Sequence, residues 1–388
     1  MTSLSVKLPV FSGGTERYIL HPPSPLSSIH PPISVRAVFA APHVVADPFA
    51  HNPSQEPAVD WETTLAFRRH LWGLGLKVAE AMDTSQRGMG LNWPLAAELV
   101  RRSIAEAKSI PGADLACGAG TDQLDAEHAK SLDDVIAAYE EQIGHVEACG
   151  GRAIIMTSRA LRRLARSADD YLHVYDRLLS AVREKVILHW LGEMFDPELA
   201  GYWGSCNIDI AMGTFLDALK THAGKIDGVK ISLLDRGREE SLRKLLPPTL
   251  KLYTGDDFNY VELIEGDGEH VSHGLLGIFD PIAPAVPVAF DRLAAGDYTG
   301  YREILSPTVA LSRKMFETPT RFYKAGIVFL AWIAGHQDHF RMIAGLESAR
   351  DILHYAELFR LADRARLFAD PERAAWRMRQ FCAVNGVS

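Results

Sequence analysis

From about residue 35 the chain repeats one pattern. Short apolar runs alternate with longer stretches in which apolar residues recur every three or four positions. Runs of the first kind cover 34–45, 77–83, 113–118, 151–157, 185–190, 226–232, 250–256 and 274–279. They are too short for helices and apolar on both faces, the signature of strands buried on both sides. Between them lie 61–75, 94–109, 132–149, 168–183, 209–223, 238–246, 258–264 and the start of 287–296. Their spacing predicts helices, the first with Asp60 as N-cap. Strict strand–helix alternation calls for a parallel sheet with right-handed crossovers. Eight such units fit the length of a (β/α)8 TIM barrel spanning residues 35–297. The rival, an open doubly wound sheet, lacks a Gly-rich fingerprint at its first helix.

The two ends differ from this rhythm. Residues 1–34 suggest two short strands, Ser3 to Val10 and Arg17 to Leu20, turning at Gly13-Gly14, then a proline-rich linker or arm. Residues 298–388 read as helix throughout and form a C-terminal helical extension. Three parts are therefore expected.

Composition narrows the function classes. The 388 residues are 47% hydrophobic and 23% charged with net charge −8, which disfavours a nucleic-acid binder. The basic cluster Arg159 to Arg166 has helical spacing and reads as a solvated helix face. Four widely spaced cysteines give neither a disulfide framework nor a structural zinc site. No apolar run is long enough to span a membrane, and no secretory signal pattern opens the chain, so a cytoplasmic protein is expected.

The candidate chemistry centres on Ile226-Asp-Gly-Val-Lys230-Ile-Ser232. A lysine inside a buried strand either reaches solvent at the strand end or is desolvated with a lowered pKa. In the second case it is an amine nucleophile able to form a Schiff base. In a barrel the reacting groups stand where strands end. Those positions carry Asp83-Thr84-Ser85, Gly118 to Asp122, Thr157-Ser158-Arg159, His189, Ser232, Gly255-Asp256-Asp257 and Asp280. Thr84 and Ser85 offer hydroxyls and N–H groups for an anion, or simply a turn. His189 suits acid–base work near neutral pH, or is a satisfied core histidine. Asp256-Asp257 reads more readily as a helix cap than a metal site. Glu80 would pair with Lys230 if it faces inward. His270-x-x-His273 and His336-x-x-His339 lack a third ligand, so no metal is assigned.

These loops, in their order, resemble the dihydrodipicolinate synthase / N-acetylneuraminate lyase family of class I aldolase barrels. Met82 to Asn92 is similar to the family's Gly-Thr-Thr-Gly-Glu loop, Asp114 to Thr121 to its third strand, Gly228-Val-Lys230 to its Gly-Ile-Lys, and Gly255-Asp-Asp257 to its Gly-Asp-Asp. The resemblance implies a Schiff base on Lys230 and a 2-oxo acid carboxylate held by Thr84 and Ser85. Ser232, Gly255 and Asp256 would line the substrate site, and His189 would stand in for the family's strand-five tyrosine. Gln86-Arg87 replaces the family's Gly-Glu, and residues 191–208 read as an insertion, marking a divergent member. The expectation is a lyase or aldolase, without cofactor, acting on a keto acid or keto sugar and assembling as a homo-oligomer. A metal-dependent barrel isomerase or hydrolase, or a non-catalytic binding barrel, remains the alternative.

Overall fold

A computed structural model describes residues 4–23, 26, 29–50 and 57–387. Met1, Thr2 and Ser3, parts of the proline-rich stretch (Ser24, Pro25, Ser27 and Ser28) and residues 51–56 lie outside the described residues, as does Ser388. In chain order the strands are β1 (Ser5–Pro9), β2 (Thr15–Ile19), β3 (Val38–Ala40), β4 (Lys77–Glu80), β5 (Leu115–Ala119), β6 (Ala153–Ile155), β7 (Val186–Leu191), β8 (Ile226–Ser232), β9 (Lys251–Thr254) and β10 (His273–Leu276). Helices α1 (Trp61–Gly73), α2 (Trp93–Lys108), α3 (Leu132–Ala148), α4 (Arg159–Leu164), α5 (Ala168–Ala181), α6 (Ile208–Thr221), α7 (Arg236–Leu245), α8 (Tyr260–Glu265) and α9 (Ala285–Ala294) fall between or after them. Helices α10 (Tyr298–Met315), α11 (Tyr323–Ala334), α12 (Ile352–Arg364) and α13 (Pro371–Val384) complete the C-terminal region.

Strands β3 to β10 close into an all-parallel barrel, β10 pairing with β3. This is the (β/α)8 barrel expected from the alternation. The apolar spacing placed the elements, and the structure shows several helix starts held by side-chain caps. Asp60 accepts from Thr63 N at 3.0 Å, Asn92 caps α2 through Leu95 N, and Ser131 with Asp134 forms a capping box on α3. One compact unit comprises residues 36–42 and 77–277; the other comprises 1–35, 43–76 and 278–388. The helices following β3 and β10 thus belong with the chain ends.

The barrel unit is filled in layers. Phe39, Ala79, Ala116, Ile154, Ile187, Tyr253 and Leu275, one from each of seven strands, make its apolar middle. Strand β8 contributes Gly228, where a Cβ would lie 2.8 Å from the Tyr253 ring. At the amino-terminal end of the strands the interior is ionic. Asp114 accepts from Lys77 Nζ at 2.6 Å and Arg152 Nη2 at 2.9 Å, and both cations lie over the Phe39 ring. Asp227 accepts from Lys251 Nζ at 2.5 Å and the Tyr253 hydroxyl at 2.6 Å. A bulge places it there: Ile226 pairs with Val186 and Gly228 with Ile187, so Asp227 is the extra residue.

In the other unit, β1 and β2 form an antiparallel hairpin whose Val6 and Leu8 are buried. It is pinned to α12 by Tyr18, which donates to Asp363 at 2.7 Å, and by Arg360, which donates to Pro9 O at 2.8 Å. The same unit buries His43, whose Nδ1 lies 2.7 Å from Asp280 and Nε2 3.1 Å from Gln337 Oε1. Among the described residues, no helix is long and apolar enough to cross a membrane.

Candidate active site

The bulge sets the phase of β8. Past it, His189 pairs with Lys230 and Leu191 with Ser232. Gly228, Lys230 and Ser232 then share the inward face, as Ile187 and His189 do on β7. Lys230 is 8% exposed, and among the described residues no hydrogen bond or ion pair ties its Nζ. Burial lowers its pKa to about 8; the negative charges of Asp257 and Asp83 oppose that shift. A fraction of the amine is therefore uncharged near neutral pH.

His189 is buried beside it. Its Nε2 lies 3.1 Å from Ser232 Oγ, while Nδ1 has no hydrogen-bond partner. Burial, reinforced by the nearby Lys230 charge, holds the imidazole well below its usual pKa, so it is neutral. Gly255 closes over this group. Its N–H donates to Ile231 O at 2.7 Å, and a Cβ at this position would lie 2.9 Å from Lys230 Cε and closer still to Ser232 Oγ. Lys230, His189, Ser232 and Gly255 are thus brought together.

The other expected residues are placed differently. Thr84 and Ser85 are buried in a short 3₁₀ turn, Asp83–Ser85, after β4. Ser85 donates both its hydroxyl, at 2.8 Å, and its N–H, at 3.1 Å, to Met82 O. Asp256 spends its carboxylate on its own turn, with Oδ1 accepting from Phe258 N and Asn259 N and Oδ2 from Asn259 Nδ2. Glu80 does not face Lys230. Ala79 takes the inward position, and Glu80 accepts from Ser103 Oγ of α2 at 2.6 Å and from Ala81 N at 2.8 Å. The expected pairing fails because both faces of β4 are buried, leaving no polarity to tell inside from outside.

Two residues around the amine stood among the strand-end positions of the sequence reading without a part in the chemistry of Lys230, Asp83 and Asp257. Each flanks a residue that was singled out, and only the fold shows that their charges act on Lys230. Arg87 had no assigned part either. Its Nη1 donates to Ala81 O and Gly118 O, both at 3.2 Å; Nη2 donates to Gln142 Oε1 at 2.8 Å and to Asp122 Oδ1; Nε donates to Asp122 Oδ2 at 2.8 Å. It clasps the loops after β4 and β5. Behind β9, Glu239 of α7 is fully buried and accepts from the Thr254 and Ser272 hydroxyls, each at 2.9 Å. Burial raises its pKa to about 8. Among the described residues, no group of three or more His, Cys, Asp or Glu side chains is arranged to hold a metal ion.

A family model described as "Protein of unknown function (DUF993)" matches residues 6–387. The chain belongs to this family. No curated protein matches it in sequence. Among solved structures, the dihydrodipicolinate synthase of Acinetobacter baumannii, complexed with pyruvate, is similar at TM-score 0.61 and 16% identity, over 86% of this chain and 100% of that one. The enzyme from Aquifex aeolicus matches at TM-score 0.59 and 13% identity, covering 91% and 98%. That from Bacillus clausii matches at 0.61 and 14%, covering 84% and 96%. This member of the DUF993 family therefore has a divergent, dihydrodipicolinate synthase-like fold.

Proposed function

We propose that this protein is a class I lyase or aldolase that forms a Schiff base between Lys230 and a keto acid or keto sugar. The observation that carries the reading is the Lys230 amine itself: inward-facing, buried, without a hydrogen bond on Nζ among the described residues, and lowered to about pKa 8. The likeness of fold to dihydrodipicolinate synthases supports the same class.

The uncharged amine adds its lone pair to the carbonyl carbon as the carbonyl π pair moves to oxygen. That oxygen takes one proton from the nitrogen and a second from a neighbouring acid, and leaves as water. The resulting iminium accepts the electron pair of a neighbouring C–C or C–H bond as that bond breaks, giving an enamine; the reverse sequence makes the bond. His189, neutral and next to Lys230 in the sheet, takes or returns the proton, with the Ser232 hydroxyl 3.1 Å away as its relay partner. Gly255 keeps the lysine stem in line.

Borohydride trapping tests the proposal. The protein is incubated with a panel of keto acids and keto sugars, reduced, and digested. A stable secondary amine on the Lys230 peptide is expected, and Lys230→Ala abolishes it. Absence of an adduct at Lys230 across the panel overturns the reading.

A further inference from the structure

The amino-terminal mouth of the barrel, at the opposite end of the strands from Lys230, holds more donors than its acids take up. Its groups gather around two rings. Lys77 Nζ lies 5.7 Å and the Arg152 guanidinium 5.5 Å from the Phe39 ring, and Tyr253 meets that ring edge-on at 5.7 Å. His273 packs on Tyr253 at 5.6 Å and is its register partner between β10 and β9. Lys251 stands two residues before Tyr253 on β9. All of these residues belong to the barrel unit.

Both oxygens of each acid are engaged. Asp114 Oδ1 accepts from Arg152 Nη2 at 3.0 Å, and Oδ2 accepts from Arg152 Nη2 at 2.9 Å and Lys77 Nζ at 2.6 Å. Asp227 Oδ1 accepts from Lys251 Nζ at 2.5 Å, and Oδ2 takes the Tyr253 hydroxyl proton at 2.6 Å. The donors are not used up. Each ammonium carries three N–H groups, and among the described residues each meets one carboxylate. Arg152 Nε is buried without a hydrogen-bond partner. Ala37 N–H donates to His273 Nδ1 at 2.8 Å, which leaves the ring proton on Nε2 as a further donor.

Charge follows the same pattern. Lys77, Arg152 and Lys251 face Asp114 and Asp227, and Arg36, next to Ala37, adds a further cation that donates to the Ile264 carbonyl at 3.2 Å. At His273 the cations prevail. Burial, with the Lys251, Arg36 and Lys77 charges, lowers its pKa to about 4 against the opposing Asp227, so the ring is neutral. Ion pairs that only brace strand starts need one acid for each cation. A surplus of half-buried cations with spare N–H groups is what an anion site carries. Solvent reaches the mouth: the Lys251 side chain is 41% exposed, Lys77 31% and Arg152 27%.

We infer that this mouth binds a small, doubly negative oxyanion, a phosphate or phosphate monoester, held by Lys77, Arg152, Lys251 and the His273 Nε2–H, because the donors gathered there exceed what Asp114 and Asp227 engage. The inference is independent of the Schiff-base reading.

The test titrates the full-length protein with inorganic phosphate, against NaCl at equal ionic strength to remove general screening. A saturable rise in the unfolding midpoint of at least about 2 °C is expected at ~10 mM phosphate. No rise beyond that in NaCl overturns the inference. Lys77→Gln and Lys251→Gln are each expected to weaken phosphate binding several-fold, and unchanged affinity in a folded variant overturns the site. If neither variant folds, the wild-type protein decides. Acylation of its lysines, read peptide by peptide by mass spectrometry, is expected to slow with phosphate at Lys77 and Lys251 and to hold steady at the exposed Lys220 and Lys244. Equal slowing at all four, or at none, overturns the inference. Glycerol phosphate run alongside separates the two sources of the anion: a larger rise than with inorganic phosphate assigns the site to a monoester, and an equal or smaller one assigns it to the free ion.

Discussion

Gly255 and Lys230 occupy space that only glycine allows them to share: a β-carbon on residue 255 would lie 2.9 Å from Lys230 Cε. The lysine stem is therefore shaped by the neighbouring strand's end as much as by its own strand. Gly255→Ala is expected to displace the amine, costing roughly 1–3 kcal/mol of stability from overpacking and far more in reactivity. Urea unfolding alongside trapping at Lys230 checks this; a folded variant with unchanged trapping would show the contact to be incidental.

The lowered Lys230 pKa predicts a pH profile. Trapping should rise with pH as the amine deprotonates and level off above about 8, whereas an exposed lysine keeps gaining to above pH 10. Asp257→Asn and Asp83→Asn each remove a charge that favours the ammonium, so both should move the midpoint down. Adduct yield on the Lys230 peptide across a pH series gives the answer.

His189→Gln separates two steps. Adduct formation at Lys230 should survive, while exchange of the substrate's α-hydrogen with solvent deuterium slows by about 10²-fold, the usual worth of a placed general base. Equal loss of both would instead mean that His189 serves to hold Lys230.

Glu239 supplies a stability test with a definite sign. Its folded pKa of about 8 lies above the ordinary 4.5, so the unfolded state ionises first. The stability tied to the neutral acid is fully present below pH 4.5 and is lost at up to about 1.4 kcal/mol per pH unit as pH rises toward 8. Glu239→Gln, which keeps hydrogen-bonding groups toward Thr254 and Ser272, should gain stability relative to the parent between pH 5 and 8. Denaturation at the two pH values measures the difference.

Arg87→Lys should destabilise by about 2–4 kcal/mol, because a single ammonium cannot replace three nitrogens that serve two carbonyls, Asp122 and Gln142. The urea midpoint is the readout.

The sequence made the barrel legible because its strands are short and doubly buried and its helices keep a three-to-four spacing, the first of them announced by its cap Asp60. Lys230 stood out because a charge in such a run is costly. The fate of Glu80 was not legible, since a strand buried on both faces hides which way each residue points. Asp83, Asp257 and the engagement of Arg159 by Asp196 depend on loops far apart in sequence, and no local pattern encodes them.

The bulge at Asp227 has a consequence for tracing relatives of this chain. A gap-free alignment started from the first residue of β8 would match Val229, not Lys230, to His189. In a homologue lacking the extra residue, the equivalent lysine must sit one place earlier in the written strand to reach the same interior position. Counting from the start of the strand would file such a protein among those without the nucleophile. Counting back from the serine that ends the strand would recover it.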